Sequence, residues 1–516
     1  MSRQEEIDKL LLAIKNKPDD AVNYNELGNL YFDDNKTEAK KCYLQAIDRN
    51  PNIGVFYENL AMVNDDLDNW KEAADAYEKA VALKPDWNLY NSLGIDYYRM
   101  NDSAAAIKNY LSAIELENKQ GVIYSNLGLA YEQAGKFDEA EKAYQKAIET
   151  EPQNYSFQNR LGVLYTKQDR QDLAIECFKK AIELGKGETI LFENLGLSYE
   201  KTGQWKEAED AYSKAIQNEP DNPTHLNSLG VCYYRQNKFD KAVEFYKKAI
   251  DKNQHLPVYW ENLGLAYEDS GDLSEAKMAY QKLLELAPNE ADYYFRLALV
   301  LVKEENTKEA VDVIKKGVSY DPNNPEYLKL QGQYEEKLNL FADALKTYRR
   351  ALEIAPKDEY FNNRAGICCF TLGDNETAIS YYQKAIEVNP KAAVYYENVG
   401  LACEQLKDWK GSIDAFEKAI AIEPSKNSYN SLGIAYYNLN QDQDKAIENY
   451  KKAIAMSGSE AVLYSNLGLA YDKANKPKEA EETYLKSIEI EPNNYTYQNR
   501  LGVFYFLQKN YDKAIK

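Results

Sequence analysis

A Leu-Gly pair recurs along this 516-residue chain at intervals of 34 residues, with occasional one-residue slips. It stands at Leu27-Gly28, Leu93-Gly94, Leu127-Gly128, Leu161-Gly162, Leu195-Gly196, Leu229-Gly230 and Leu263-Gly264. It returns at Leu432-Gly433, Leu467-Gly468 and Leu501-Gly502. Other residues keep step with it. Tyr follows Gly by three (Tyr131, Tyr165, Tyr199, Tyr233, Tyr267) and Ala by twelve (Ala140, Ala174, Ala208, Ala242, Ala276). An aromatic comes four later (Tyr144, Phe178, Tyr212, Tyr246, Tyr280), and Pro often closes the unit, as at Pro152, Pro220 and Pro288. A period of this length sustained from end to end excludes a single globular core and specifies an array of small units.

The unit reads as two helices. An aromatic, Leu, Gly and Tyr at i, i+3, i+4 and i+7 place one apolar stripe on a first helix. Ala, an aromatic and Ala at i, i+4 and i+7 place another on a second helix. Small Gly and Ala let the backbones approach closely, a turn such as AGKF or TGQW joins the pair, and Pro ends the second helix. One pair cannot bury both stripes, so pairs must stack on their neighbours.

These spacings resemble the tetratricopeptide repeat family, and the resemblance covers essentially the whole chain. It implies an all-α fold: a right-handed α-α superhelix, or solenoid, of about fifteen 34-residue helix-turn-helix units. Residues 1–20 read as an N-terminal capping helix and 21–288 as repeats one to eight. Residues 289–356 form the divergent repeats nine and ten, where Ala298 replaces Gly and Gln331 replaces Leu. Residues 357–516 hold repeats eleven to fifteen. The last unit stops inside its second helix, so the native polypeptide is expected to continue. The octapeptide YSNLGLAY fills Tyr124–Tyr131 and again Tyr464–Tyr471. Residues 122–165 match 462–505 at 29 of 44 positions, as if a block of ten repeats had been duplicated.

In the family the first helices line a concave face. Counting the Leu of Leu-Gly as position seven, the resemblance implies that positions two, five, six, nine and twelve face the groove. Here these positions alternate between even and odd repeats. Even repeats carry Asn at position six (Asn59, Asn126, Asn194, Asn262, Asn398, Asn466) and odd repeats at position five (Asn91, Asn159, Asn227, Asn363, Asn430, Asn499). An Asn amide offers donor and acceptor together and can grip any extended peptide backbone. The rows resemble the asparagine ladder of the O-GlcNAc transferase superhelix. They equally suit a second role, bridging neighbouring helices. Position twelve is acidic in even repeats (Asp65, Glu132, Glu200, Glu268, Glu336, Glu404, Asp472) and mostly aromatic in odd ones (Phe32, Tyr98, Tyr234, Phe370, Tyr437, Phe506). Carboxylates interleaved with rings suit a basic or aromatic-rich segment. The competing role is pairing with Arg160, Arg296, Arg364 and Arg500 at position six of the following repeat. Position nine is apolar (Leu129, Val163, Leu197), which disfavours the carboxylate clamp of the small chaperone-binding members.

No catalytic constellation stands out, and no enzyme activity, cofactor or metal is expected from these residues. The only histidines, His225 and His255, belong to no metal-binding motif. The six cysteines are scattered, with no CxxC pair, and fall on packing positions. A net charge of −20 repels phosphate backbones and anionic membranes. The chain is therefore expected to be cytoplasmic and to bind protein rather than nucleic acid or membrane. The leading reading is a scaffold that holds an extended peptide or flexible protein segment in its groove. The alternative is the substrate-recruiting region of a larger enzyme, such as a glycosyltransferase, with its catalytic domain beyond residue 516. Self-association through the uncapped C-terminal end is a further expectation.

Overall fold

The computed structural model describes residues 2–185 and 187–516. Among them are thirty-one helices. A lone helix, Arg3–Asn16, comes first and is closed by a capping box in which Ser2 and Glu5 satisfy each other's backbone N–H groups. Fifteen helix pairs follow. Two compact units share them. Residues 1–270 hold the lone helix, repeats one to seven and the first helix of repeat eight. Residues 271–516 hold the second helix of repeat eight and repeats nine to fifteen.

Repeat four shows how sequence makes the pair. Its first helix runs Gly121–Gln133 and its second Phe137–Thr150. Between them Gly135 takes φ +71°, and the Lys136 N–H closes on the Tyr131 carbonyl at 2.8 Å. That left-handed residue ends the first helix and reverses the chain. The second helix stops before Pro152, and the Asn154 side chain then caps the next helix through the Ser156 N–H at 3.2 Å.

The two helices of a pair touch where Gly meets an aromatic ring. A Cβ on Gly128 would lie 2.5 Å from the Tyr144 ring, and Gly28, Gly94, Gly162 and Gly332 face Tyr43, Tyr110, Phe178 and Tyr348 equally closely. Tyr144 is fully buried. In repeat nine, Ala298 stands in place of Gly, and the residue sixteen positions on is Ile314 rather than an aromatic. The larger small residue meets a smaller partner.

Cores run on from repeat to repeat. In the first unit Tyr43, Leu60, Tyr77 and Leu93, from three successive repeats, belong to one apolar cluster. In the second unit Phe416, Leu432, Tyr450, Leu467, Tyr484 and Leu501 do the same. Repeat ten departs from this. Gln331 replaces Leu and Glu335 replaces Tyr, and both are buried. Gln331 Nε2 donates to Glu335 Oε1 at 2.9 Å and to Thr347 Oγ1 at 3.0 Å. Thr347 Oγ1 donates to Glu335 Oε2 at 2.8 Å, and Lys315 Nζ of repeat nine stands 3.1 Å from Glu335. The divergence is thus a closed polar network inside the stack.

Gly128→Ala should destabilise the chain by about 1–3 kcal/mol, because overpacking outweighs the helix propensity gained. Adding Tyr144→Ile, which copies the Ala298 and Ile314 arrangement, should recover part of the loss. Thermal melts of the single and double variants check both.

Candidate functional site

The asparagine rows meet. Position six of every even repeat but the tenth, which has Leu330 there, donates to position five of the odd repeat before it. Asn59 Nδ2 reaches Asn25 Oδ1 at 2.8 Å, Asn126 reaches Asn91 at 3.1 Å, Asn194 reaches Asn159 at 2.9 Å and Asn262 reaches Asn227 at 2.9 Å. In the second unit Asn398 reaches Asn363 at 2.9 Å and Asn466 reaches Asn430 at 3.2 Å. Asn499 is exposed. Each bond joins the first helices of neighbouring repeats, so bridging, one of the two roles these residues suit, is present in the structure. It uses one N–H and one carbonyl lone pair per pair. The second N–H and the carbonyl of Asn126, Asn194 and Asn262 make no further bond, nor does the amide nitrogen of the half-buried Asn159 and Asn227, whereas Asn25 and Asn91 are buried. At the intervening junctions other residues bridge. Arg160 Nη1 donates to Ser125 Oγ at 2.8 Å and Arg500 Nη1 to Ser465 Oγ at 2.7 Å.

A second set of bridges links position twelve to position thirteen of the next repeat. Lys167 Nζ lies 2.7 Å from Glu132, and Arg99 Nη1 lies 3.4 Å from Asp65. The aromatic row is held the same way. Tyr234 Oη donates to the Asp269 carboxylate, Lys473 Nζ sits 4.2 Å over the Tyr437 ring, and Gln133 Nε2 donates to the Tyr98 carbonyl at 3.1 Å. Of the arginines expected near the acids, Arg364 pairs with Glu336, whereas Arg160 and Arg500 turn to serines.

The acids have a further partner that the rows did not suggest. Twelve residues after each stands the aromatic that packs under Gly. Tyr77 Oη donates to Asp65 Oδ2 at 3.2 Å, and Tyr144 Oη donates to Glu132. A buried phenol needs an acceptor, and in these two hairpins the acid supplies it. The constant spacing of twelve is legible in the sequence once the hairpin is known. The bond is not made everywhere: the Tyr212 and Tyr348 hydroxyls are buried without a partner, and Phe416 occupies the tyrosine position after Glu404. Glu404 Oε1 is buried with no donor, and burial pushes its carboxyl up to about 7. Burial also raises Glu200 to about 7, against the pull of the Tyr212 hydroxyl and Arg235.

Asp96 was not singled out from its motif. It occupies position ten of repeat three, where repeats four and eight carry Ala130 and Ala266, and it is fully buried beside Asp65. Neither of its oxygens accepts a hydrogen bond. Burial first, then the Asp65 carboxylate, push it up to about 9, with Arg99 opposing. Protonated, it can donate to Asp65.

The repeat spacing has counterparts in known families. Tetratricopeptide repeat models match residues 21–53, 326–357, 370–427, 461–494 and 483–516. The chain is a tetratricopeptide repeat protein. A model of the C-terminal domain of cilia and flagella-associated protein 70 matches residues 55–249, and one of the C-terminal ARM domain of tetratricopeptide repeat protein 21 matches 224–331. Among curated relatives, the uncharacterized protein ycf37 of Pyropia yezoensis is 37% identical over 87 residues, 17% of this chain and 45% of that one. The mitochondrial import receptor subunit TOM70 of Rattus norvegicus is 41% identical over 64 residues, 11% of this chain and 10% of that one. The chain thus spans less than half the length of either relative. Similar solved structures include the C-terminal part of a tetratricopeptide repeat protein from Cytophaga hutchinsonii (19% identity, TM-score 0.42, 46% of this chain and 98% of that one). The Cut9–Hcn1 complex of APC/C is another (16% identity, TM-score 0.34, 87% and 96%).

The tetratricopeptide packing accounts for the remaining reactive side chains. All six cysteines are free and buried. His225 is buried with Nε2 3.5 Å from Glu193, and His255 is exposed in a connector. Among the described residues no group of three His, Cys, Asp or Glu is placed to hold a metal ion, and no helix is long and apolar enough to cross a membrane.

Two substitutions test the electrostatics. The folded chain keeps the Asp96 proton up to about pH 9, while the unfolded chain releases it near pH 4. Asp96 therefore costs stability that grows as pH rises between those values. Asp96→Ala should raise the melting temperature, by more at pH 8 than at pH 5. Phe416→Tyr should supply the donor that Glu404 lacks and stabilise the chain by roughly 1 kcal/mol, read as a shift in denaturant midpoint at pH 8.

Proposed function

We propose that the chain is a protein-interaction scaffold whose first-helix face holds an extended segment of a partner protein. The observation that supports this is the line of half-buried asparagine pairs. Asn126, Asn194 and Asn262 keep a donor and an acceptor side by side on the same stripe of helix, which matches the alternating N–H and C=O groups of an extended backbone. Such a grip tolerates many sequences. The acids and rings at position twelve, Glu132, Glu200, Glu268, Glu404, Tyr98, Tyr234 and Tyr437 among them, lie on the same helices. They favour a basic or aromatic-rich segment. The face carries net negative charge, which salt screens, so binding of a basic segment through it is salt-sensitive. Ordering a flexible segment costs conformational entropy, so affinity per contact is modest.

The test is a triple variant, Asn126→Ala/Asn194→Ala/Asn262→Ala. Each lost bridge costs on the order of 1 kcal/mol, within the reach of a melting curve. Partners captured by the native chain and by the variant are compared by quantitative mass spectrometry at a temperature where both remain folded. Loss of partners from a folded variant is the expected result. An unchanged partner set would overturn the reading.

A further inference from the structure

The bridges use positions five, six, twelve and thirteen of the first helices. Position two stands apart from them. In the even repeats of residues 1–270 it is Val55, Val122, Ile190 and Val258, each the second residue of its helix and each 42–47% exposed. Asn59, Asn126, Asn194 and Asn262 follow at i+4, and Met62, Leu129, Leu197 and Leu265 at i+7. All three therefore share one stripe. Odd repeats carry Asn88, Ser156 and Thr224 at position two, and only the first repeat, with Val22, is apolar there. A β-branched residue is a mediocre helix former, and these four are outside the core, so neither propensity nor packing accounts for them. A single exposed Val needs no explanation. The same exposed aliphatic beside an amide pair in every second repeat makes a repeating cell of two repeats.

The charge is just as uneven. Residues 1–270 hold 46 Asp and Glu against 32 Lys and Arg, which is −14 of the chain's −20. Position five of the four even repeats adds Glu58, Glu193 and Glu261 to this face, with Ser125 in the remaining cell. A second copy of the chain would bring the same charge and be repelled.

We propose that the first-helix face of residues 1–270 is a track of four equivalent cells for an extended, Lys- or Arg-bearing segment of a partner protein, with aliphatic side chains at regular intervals. Those side chains seat on Val55, Val122, Ile190 and Val258, and the basic ones lie among the acids between. The proposal rests on the scaffold reading and adds a register to it. Packed helices stand roughly 8–10 Å apart, so one cell spans about 16–20 Å. An extended chain covers that length in about five or six residues.

The test uses the full chain and fluorescein-labelled 28-residue peptides of Lys, Ser and Gly carrying four leucines spaced four, five, six or eight apart. Anisotropy titrations at low salt should show affinity peaking at a spacing of five or six, at least tenfold above spacings four and eight. Val122→Ser/Ile190→Thr copies the odd repeats, adds no charge and leaves the core untouched. It should weaken the best peptide at least fivefold with an unchanged melting temperature. Equal affinity at all spacings, or no effect of the double variant, would mean attraction by charge alone and would overturn the track, while leaving the scaffold reading to the asparagine variants. Failure of every peptide to bind would overturn it as well.

Discussion

Everything in this molecule depends on a backbone that comes within touching distance of an aromatic ring. Where Gly128 lies on Tyr144, a hydrogen in place of a methyl group lets two helices close on one another. The ring is then sealed from water, and its hydroxyl has to be answered from inside the hairpin. Glu132 answers it. A choice made for packing thus sets the position of a carboxylate on the first helix. The end of that helix is in turn set by the turn at Gly135, and the start of the next first helix by the cap at Asn154. Stability and surface chemistry come from the same few residues.

The period of the asparagine bridges is twice as long as the period of the hairpins. One hairpin of 34 residues suffices to bury Leu and Tyr. Bridging needs an asparagine at position five on one side of a junction and at position six on the other, so neighbours cannot be identical. Asn159 and Asn194 illustrate this: the same amide chemistry appears at different positions because one accepts and the other donates. An array built this way has a direction, and the same surface chemistry returns only at every second hairpin.

Much of this was visible in the residues alone. The Leu-Gly spacing, the Pro stops and the Gly-containing turns specify the hairpins because each acts locally, and the helices begin and end where those signals stand. The asparagine and acid rows were visible as rows, since their positions follow from the same count. Their partners were not. Whether Arg160 turns to Glu132 or to Ser125 depends on side-chain reach between helices 34 residues apart in the chain, which spacing does not reveal. Asp96 was invisible for a different reason. An Asp at a helix position that faces solvent and one that faces the core read alike until its neighbours are placed, and only burial turns it into a proton-holding acid. Glu404 falls between the two, because the missing hydroxyl of Phe416 was there to be read but the need for it was not.

A chain of near-identical hairpins has a problem of identity, since any second helix could settle against almost any first helix during synthesis. The polar network of repeat ten works against that. Gln331 and Glu335 are satisfied by Thr347 of their own hairpin and Lys315 of the one before. The second helices of repeats four, six and eight carry Ala143, Ala211 and Ala279 where Thr347 stands. Any of these would leave a buried carboxylate short of a donor, at a cost of roughly 1–3 kcal/mol or more. Misdocked arrangements are thereby penalised while the native one is not. Repeat fourteen carries Thr483 at the same place, so the network separates hairpins that offer a hydroxyl there from those that offer alanine.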